Sequence, residues 1–159
     1  MYDYLRYQSP LGTLTITAEG DQLTALVMYG QKYARQHLTG EGREREIPVL
    51  HKARLWLDRY FNGEQPDSSE LPLSPKGTAF QKRVWAELRN IPYGDTDTYD
   101  AISRRLGSSA RAVGSAVGHN PLSILIPCHR VLGKDGGLTG YAGGLGNKEA
   151  LLRHEGILK

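Results

Sequence analysis

Apolar and polar residues alternate along the first part of the chain. From Tyr4 to Tyr7, and again at Leu14, Ile16 and Ala18 with threonines between them, a period of two predicts half-buried strands. Glu19-Gly20-Asp21-Gln22 is a turn signal and Leu23 to Met28 supplies a further strand, so the short connections predict antiparallel pairing. The stretch from Gly40 to Glu46 reads as too charged to pack. Beyond it the period changes. Val49, Ala53, Trp56, Leu57, Tyr60 and Phe61 recur at helical spacing, Asn62-Gly63 ends that helix, and the Pro/Ser-rich segment from Pro66 to Gly77 reads as a linker.

The remainder is helical in pattern. Thr78 with Gln81 three residues later fits a capping box. Phe80, Val84, Trp85, Leu88 and Ile91 form an apolar stripe that Pro92 and Gly94 terminate. Thr98 caps a short helix carrying Tyr99, Ile102 and Leu106 and stopping at Gly107. Ser108 or Ser109 caps the next, with Ala110, Val113 and Val117 on its inner face and Asn120-Pro121 closing it. Two short helices joined by a glycine-containing turn outline a helix-turn-helix. A last helix is expected with Asn147 as cap, Leu151 and Leu152 inward and Gly156 as stop. The pattern predicts an α+β chain: a small antiparallel sheet with a helix over residues 1–75, then a mainly helical domain over residues 76–159.

Composition narrows the function classes. The 159 residues are 39% hydrophobic and 23% charged, ordinary for a globular protein. No apolar run approaches the ~20 residues a membrane span needs, and the N-terminus lacks the apolar core of a signal peptide. Cys128 is the single cysteine, which excludes an internal disulfide and a multi-cysteine zinc site and suits a reducing cytoplasm. The net charge of +3 hides an asymmetry: residues 1–75 carry eight Lys/Arg against ten Asp/Glu, and residues 76–159 carry twelve against seven. A basic surplus in the second half reads either as a solvated surface or as a face for a polyanion such as nucleic acid.

The helix from Ala110 to Gly118 is built of small residues: Ala110, Ala112, Gly114, Ser115, Ala116 and Gly118, with Arg111 the one long polar side chain. A major-groove reading helix needs several Arg, Asn or Gln side chains. This one has almost none, so either it packs tightly on its own core or it brings its backbone close to another surface with Arg111 as a probe.

Chemistry concentrates downstream. Ile124 to Leu132 reads as a buried strand, yet Cys128, His129 and Arg130 interrupt its apolar run. Positive charge from Arg130 would favour the reactive thiolate. Neighbours on an extended strand point to opposite faces, so either the backbone turns sharply at Cys128 or a water relays a proton to His129. Glu155 is a candidate to orient His129; its alternative is a solvated helix-end carboxylate. Residues 133–147 include seven glycines around Tyr141, a flexible connection or a loop whose backbone approaches a flat ligand.

At Pro127-Cys128-His129-Arg130-Val131 the sequence resembles the O6-alkylguanine-DNA alkyltransferases. The resemblance spans Phe80 to Gly156 through Ile91-Pro92-Tyr93-Gly94, Thr98-Tyr99, Ala110-Arg111-Ala112-Val113-Gly114, Asn120-Pro121, Tyr141-Ala142-Gly143-Gly144 and His154-Glu155-Gly156. It implies a ribonuclease H-like N-terminal domain and a winged-helix-like C-terminal one. It implies a single-turnover transfer of an alkyl group from O6-alkylguanine in double-stranded DNA, with O4-alkylthymine left open, to Cys128. His129 is then the base through a water, Glu155 its orienter and Asn120 a brace for the turn. Tyr99 assists flipping of the damaged nucleotide, and Arg111 fills the gap it leaves. Ala110, Ala112, Gly114 and Ser115 enter the minor groove; Val131, Tyr141 and Ala142 bound the guanine pocket. No cofactor, metal or membrane is implied; the partner is DNA, and the protein is expected as a cytoplasmic or nucleoid-associated monomer, with cooperative loading on DNA left open.

Two departures stand out: Ala142 where many members have serine, and His119 where an always-charged residue is common. The principal alternative is an alkyltransferase-like protein that recognises damage without transfer, and Cys128 argues against it. A helix-turn-helix regulator is disfavoured by the poverty of base-reading side chains on residues 109–118, and a cysteine hydrolase has no need of the helix pair.

Overall fold

The computed structural model of the protein describes residues 1–138 and 141–159. Strands β1 (Tyr2–Ser9), β2 (Gly12–Glu19) and β3 (Gln22–Met28) form the expected antiparallel meander. A fourth strand, β4 (Gly42–Glu44), adds to β1 in parallel, giving the order β3-β2-β1-β4. This strand lies in the stretch expected not to pack. All three of its residues are exposed, so pairing rather than burial holds it: Arg43 and Arg45 flank the buried Asp3 of β1 at 3.3 and 2.7 Å. A charged edge strand also protects the sheet from pairing with other chains.

One short helix, α1 (Ala34–His37), follows β3. The long amphipathic helix α2 (Pro48–Phe61) then covers one sheet face, with Leu50, Ala53 and Leu57 fully buried against Leu14, Ile16 and Leu26. Each such leucine contributes about 1.5–3 kcal/mol by leaving water. Proline at its first turn supplies a helical φ without wasting a donor.

The expected linker is docked rather than loose. Leu23 donates to the Pro72 carbonyl at 2.8 Å and Ser74 to the Leu23 carbonyl at 2.8 Å, so this segment runs along the free edge of β3. Farther along the same edge, Leu26 donates to Pro121 at 2.8 Å and accepts from Ser123 at 3.1 Å. The sheet edge thus holds the chain on both sides of residues 75–120, and the hydrophobic core is continuous through both halves.

Helix α3 (Ala79–Arg89) begins with the full Thr78–Gln81 capping box. Helix α4 (Tyr99–Leu106) is capped by Thr98 and ends on Gly107 at φ 64°. That left-handed turn, which glycine adopts without strain, leads into α5 (Ala110–Gly118), capped by Ser109. Trp85 of α3 donates to the Ala116 carbonyl at 2.8 Å and fixes the pair from behind. The inner face of α5 carries Val113, Ala116 and Val117; Ala110, expected inward, is exposed. A two-residue strand β5 (Asp97–Thr98) pairs in parallel with β6 (Val131–Leu132). The last helix, α6 (Leu145–His154), starts two residues before Asn147, which instead donates from its first turn to the Gly143 carbonyl at 2.8 Å. No helix of the described residues is long and apolar enough to cross a membrane.

Candidate functional site

The extended strand expected over Ile124–Leu132 is replaced by tight turns. Ile124 sits at φ 72°, a left-handed conformation foreign to a β-branched residue, while Leu125 donates to the Ser123 carbonyl at 2.8 Å across it. Such strain costs on the order of 1–3 kcal/mol and gathers at functional sites. Pro127 (φ −79°, ψ 66°) is the centre of an inverse γ-turn closed by Cys128 donating to Ile126 at 2.7 Å. Cys128, His129 and Arg130 then form a single 3-10 turn. The backbone does turn sharply at Cys128, one of the two routes by which Cys128 and His129 can share a face.

Asn120 braces these turns: its Nδ2 donates to the Ile126 carbonyl at 2.8 Å and its Oδ1 accepts from Leu122 at 3.0 Å. His129 is fully buried, and its Nε2 lies 2.6 Å from Glu155 Oε2. Glu155, at the C-cap of α6, is buried as well, which excludes the solvated alternative. Burial alone would raise its carboxyl, but hydrogen bonds from His129 and Arg130 outweigh that and hold it at about 2. An ionised carboxylate only accepts, so His129 Nε2 carries the proton and Nδ1 keeps its lone pair. Nδ1 is buried and has no hydrogen-bond partner among the described residues. It is a base in waiting.

Arg130 does not serve the thiol as expected. Its Nε and Nη2 donate to Glu155 at 2.7 and 3.1 Å, its Nη1 donates to the Ile91 carbonyl at 2.6 Å, and its guanidinium lies over the Tyr93 ring. Its charge is spent on the carboxylate. Burial pushes the Cys128 thiol up, against smaller opposing effects from Asn120 and Lys148, so at neutral pH it is a thiol that must be deprotonated to react. Lys148 was not anticipated. It is fully buried, its Nζ donates to the Val131 carbonyl at 2.5 Å, and burial brings it down to about 8. Its position three and four residues before Leu151 and Leu152 puts it on the inward stripe of α6, a signal present in the sequence.

Above this cluster runs a groove of about 990 Å³. Arg111, Ala110, Gly114 and Ser115 of α5 line one side, Tyr99 stands at the start of α4, and Tyr141 and Ala142 form another wall. Ala112 lies outside this lining and receives the Ser109 cap. Asp100, Gly118 and His119 line it too, as do Lys32, Tyr33 and Lys134, which were not anticipated as groove residues. His119 stacks on Tyr33 with centroids 4.1 Å apart, and Lys32 donates to the Ala142 carbonyl at 2.8 Å, tying the strand-rich half to the pocket wall. Tyr141 reaches from the groove to Cys128: its hydroxyl faces Cys128 and Ser123, and burial raises it well above the usual phenol range. Part of the glycine-rich loop, Thr139 and Gly140, lies outside the described residues.

The buried site makes the fold acid-sensitive. Burial lowers His129, against the pull of Glu155, so it binds its proton less readily than in the unfolded chain. Stability from this group is therefore complete above about pH 6.5 and is lost as pH falls below that value. Urea unfolding at stepped pH is expected to show this decline. It should be shallower in His129→Gln, which leaves the like-signed contribution of half-buried His37 in place.

The comparisons agree along the whole chain. The family described as 6-O-methylguanine DNA methyltransferase, DNA binding domain, matches residues 79–157, and 6-O-methylguanine DNA methyltransferase, ribonuclease-like domain, matches residues 2–75. A methylated-DNA–protein-cysteine methyltransferase of Haemophilus influenzae is 46% identical over 159 residues, covering 97% of this chain and 86% of that protein. One from Mycobacterium bovis is 43% identical, covering 98% and 93%. The crystal structure of Mycobacterium tuberculosis OGT in complex with DNA superimposes with a TM-score of 0.85 at 42% identity, over 96% of this chain and 92% of that one. With the cysteine, histidine and carboxylate gathered beside a small-residue helix, and both halves matched, this chain belongs to the 6-O-methylguanine DNA methyltransferase family.

Proposed function

We infer that the protein repairs DNA by direct reversal, moving the alkyl group of O6-alkylguanine in double-stranded DNA onto Cys128 in a single turnover. The observation that carries this reading is a buried cysteine within one turn of a His129–Glu155 pair whose free Nδ1 is the available base. The small face of α5 suits a minor groove, where thin side chains and near-indifference to sequence are what the geometry admits. Arg111, exposed on that face, fills the stack when the damaged nucleotide swings out, and Tyr99 stands at the mouth to assist and to hydrogen-bond the base. Tyr141 and Ala142 wall the pocket, and Ala142 offers a backbone amide alone toward the guanine oxygen.

The Cys128 proton passes through a water to His129 Nδ1. Sγ then attacks the alkyl carbon, a carbon–sulfur bond forms as the carbon–oxygen bond breaks with its electron pair left on guanine, and the guanine anion takes up a proton from water, which balances the one His129 received. The thioether is not hydrolysed, so each molecule acts once. Residues 1–75 support the site and residues 76–159 carry it. The protein acts as a monomer in the cytoplasm or on the nucleoid.

The direct test is peptide mapping by mass spectrometry after incubation with an O6-methylguanine duplex. One added methyl on the Cys128 peptide is expected; DNA binding with no covalent change would replace this reading with damage recognition alone. A separate outcome concerns flipping. Arg111→Ala is expected to slow repair of the duplex by about 5- to 150-fold while leaving reaction with free O6-benzylguanine near wild type, since losing a filler of the stack costs about 1–3 kcal/mol. Equal losses on both substrates would refute the role.

A further inference from the structure

The strand-rich half contributes more than support. Tyr60, on the buried face of α2, reads from sequence as an apolar core residue. Its ring does pack there, stacked on Trp56 with centroids 5.6 Å apart and edge-on to Phe61. Its hydroxyl, however, donates to Glu155 Oε2 at 2.7 Å across 95 residues of chain. That is the oxygen to which His129 Nε2 donates at 2.6 Å. A phenylalanine would fill the same core position, so the oxygen is there for Glu155.

We propose that Tyr60 is a positioning residue of the transfer site: with the Arg130 fork it occupies the Glu155 carboxylate, so that the carboxylate orients His129 without drawing a proton onto it. This rests on the single-turnover reading above. A carboxylate 2.6 Å from an imidazole, left to itself in a buried site, favours the imidazolium, and an imidazolium has no lone pair with which to act as a base. Arg130 supplies the compensating charge through two contacts, and the Ile91 carbonyl and the Tyr93 ring hold it in place. Tyr60 takes a share of Oε2 and thins the negative charge presented to His129. The groups facing His129 are then Glu155 and Lys148 from α6, Arg130 and Cys128 from its own turn, and Tyr60 and Tyr93 behind the carboxylate. Arg130 and Lys148 both lower His129 in addition to burial, which is the direction a neutral base requires. The tether is firm: His154 Nε2 lies 2.6 Å from the Tyr60 carbonyl, and Tyr93 donates to the His154 carbonyl at 3.2 Å.

The experiment follows the His129 imidazole by NMR titration in the wild type and in Tyr60→Phe, beside the transfer rate against pH with free O6-benzylguanine and with methylated duplex. Wild-type His129 is expected to remain neutral, protonated at Nε2, well below pH 6.5. In Tyr60→Phe its midpoint and the acid limb of the rate should both rise by about one pH unit, the worth of one hydrogen bond to a charged group. Rates below both midpoints then fall about tenfold on both substrates, with rates above them and DNA affinity unchanged. A merely structural hydroxyl would lower the melting temperature and leave the acid limb in place, which would overturn the proposal. So would a wild-type His129 found as imidazolium at pH 7, a measurement that stands even where the variant fails to fold. A wild type that transfers no alkyl group would sink the functional reading instead, while the titration still judges the clamp.

Discussion

Cys128→Ala is expected to abolish alkyl transfer altogether, on free O6-benzylguanine as on duplex, while the protein still folds and still binds DNA. Among the described residues Cys128 has no substitute nearby. The Tyr141 hydroxyl faces Cys128 but is held well above its usual range by burial, and the Ser123 hydroxyl is engaged by Gln31 Oε1 at 3.2 Å. Losing one buried sulfur costs about 1 kcal/mol of stability, because the turns around it are held by Asn120 and by backbone bonds that do not involve Sγ. The groove proposed to take DNA is likewise untouched: its lining comes from α4, α5 and loops that include Lys32, Tyr33, Tyr141 and Ala142, and Cys128, 2% exposed, is not part of it. Gel-shift binding equal to wild type, with no methyl recovered on the protein, is the expected pair of results. Residual transfer above the uncatalysed rate would place the acceptor elsewhere.

How much of this site was visible in the sequence depends on the range of the interactions that build it. Caps and turns were legible, because Thr78 with Gln81, Thr98, Ser109 and Gly107 act on backbone within a few residues of themselves. The three sheet strands were legible because alternation reports a half-buried surface. Strand β4 was not: its residues are all exposed, and what holds it is Asp3, some 40 positions earlier. The turn at Cys128 was hidden for a related reason. An apolar run signals burial, and burial is compatible with a strand or with γ-turns; the left-handed Ile124 and the Asn120 brace decide it. Charge was the least legible. Arg130 stands two residues from the cysteine and serves Glu155 instead, whereas Lys148 and Tyr60 reach the site from 20 and 68 positions away, respectively, by the packing of α6 and α2.

Glu155→Ala should disrupt both the fold and the chemistry. Three donors converge on this carboxylate, and removing it leaves the Arg130 guanidinium, 11% exposed, without its anion. His129 Nε2 and the Tyr60 hydroxyl would be buried with nothing to donate to. Stranding one member of a buried ionic cluster costs about 3–5 kcal/mol, which for a chain of this size is a fall in melting temperature on the order of 10 °C. Transfer should drop by about 100-fold or more, since His129 loses both its tautomer and its orientation. Stability and chemistry can be separated by removing the charges together. In Glu155→Met with Arg130→Met, no ion is left stranded, so the part of the loss that comes from the unpaired guanidinium is expected back, while the His129 and Tyr60 donors still lack an acceptor. The transfer rate should stay low, because methionine cannot accept from His129. If the double variant recovered transfer along with stability, Glu155 would be a structural anchor for Arg130 and nothing more, and the base would have to be oriented from elsewhere.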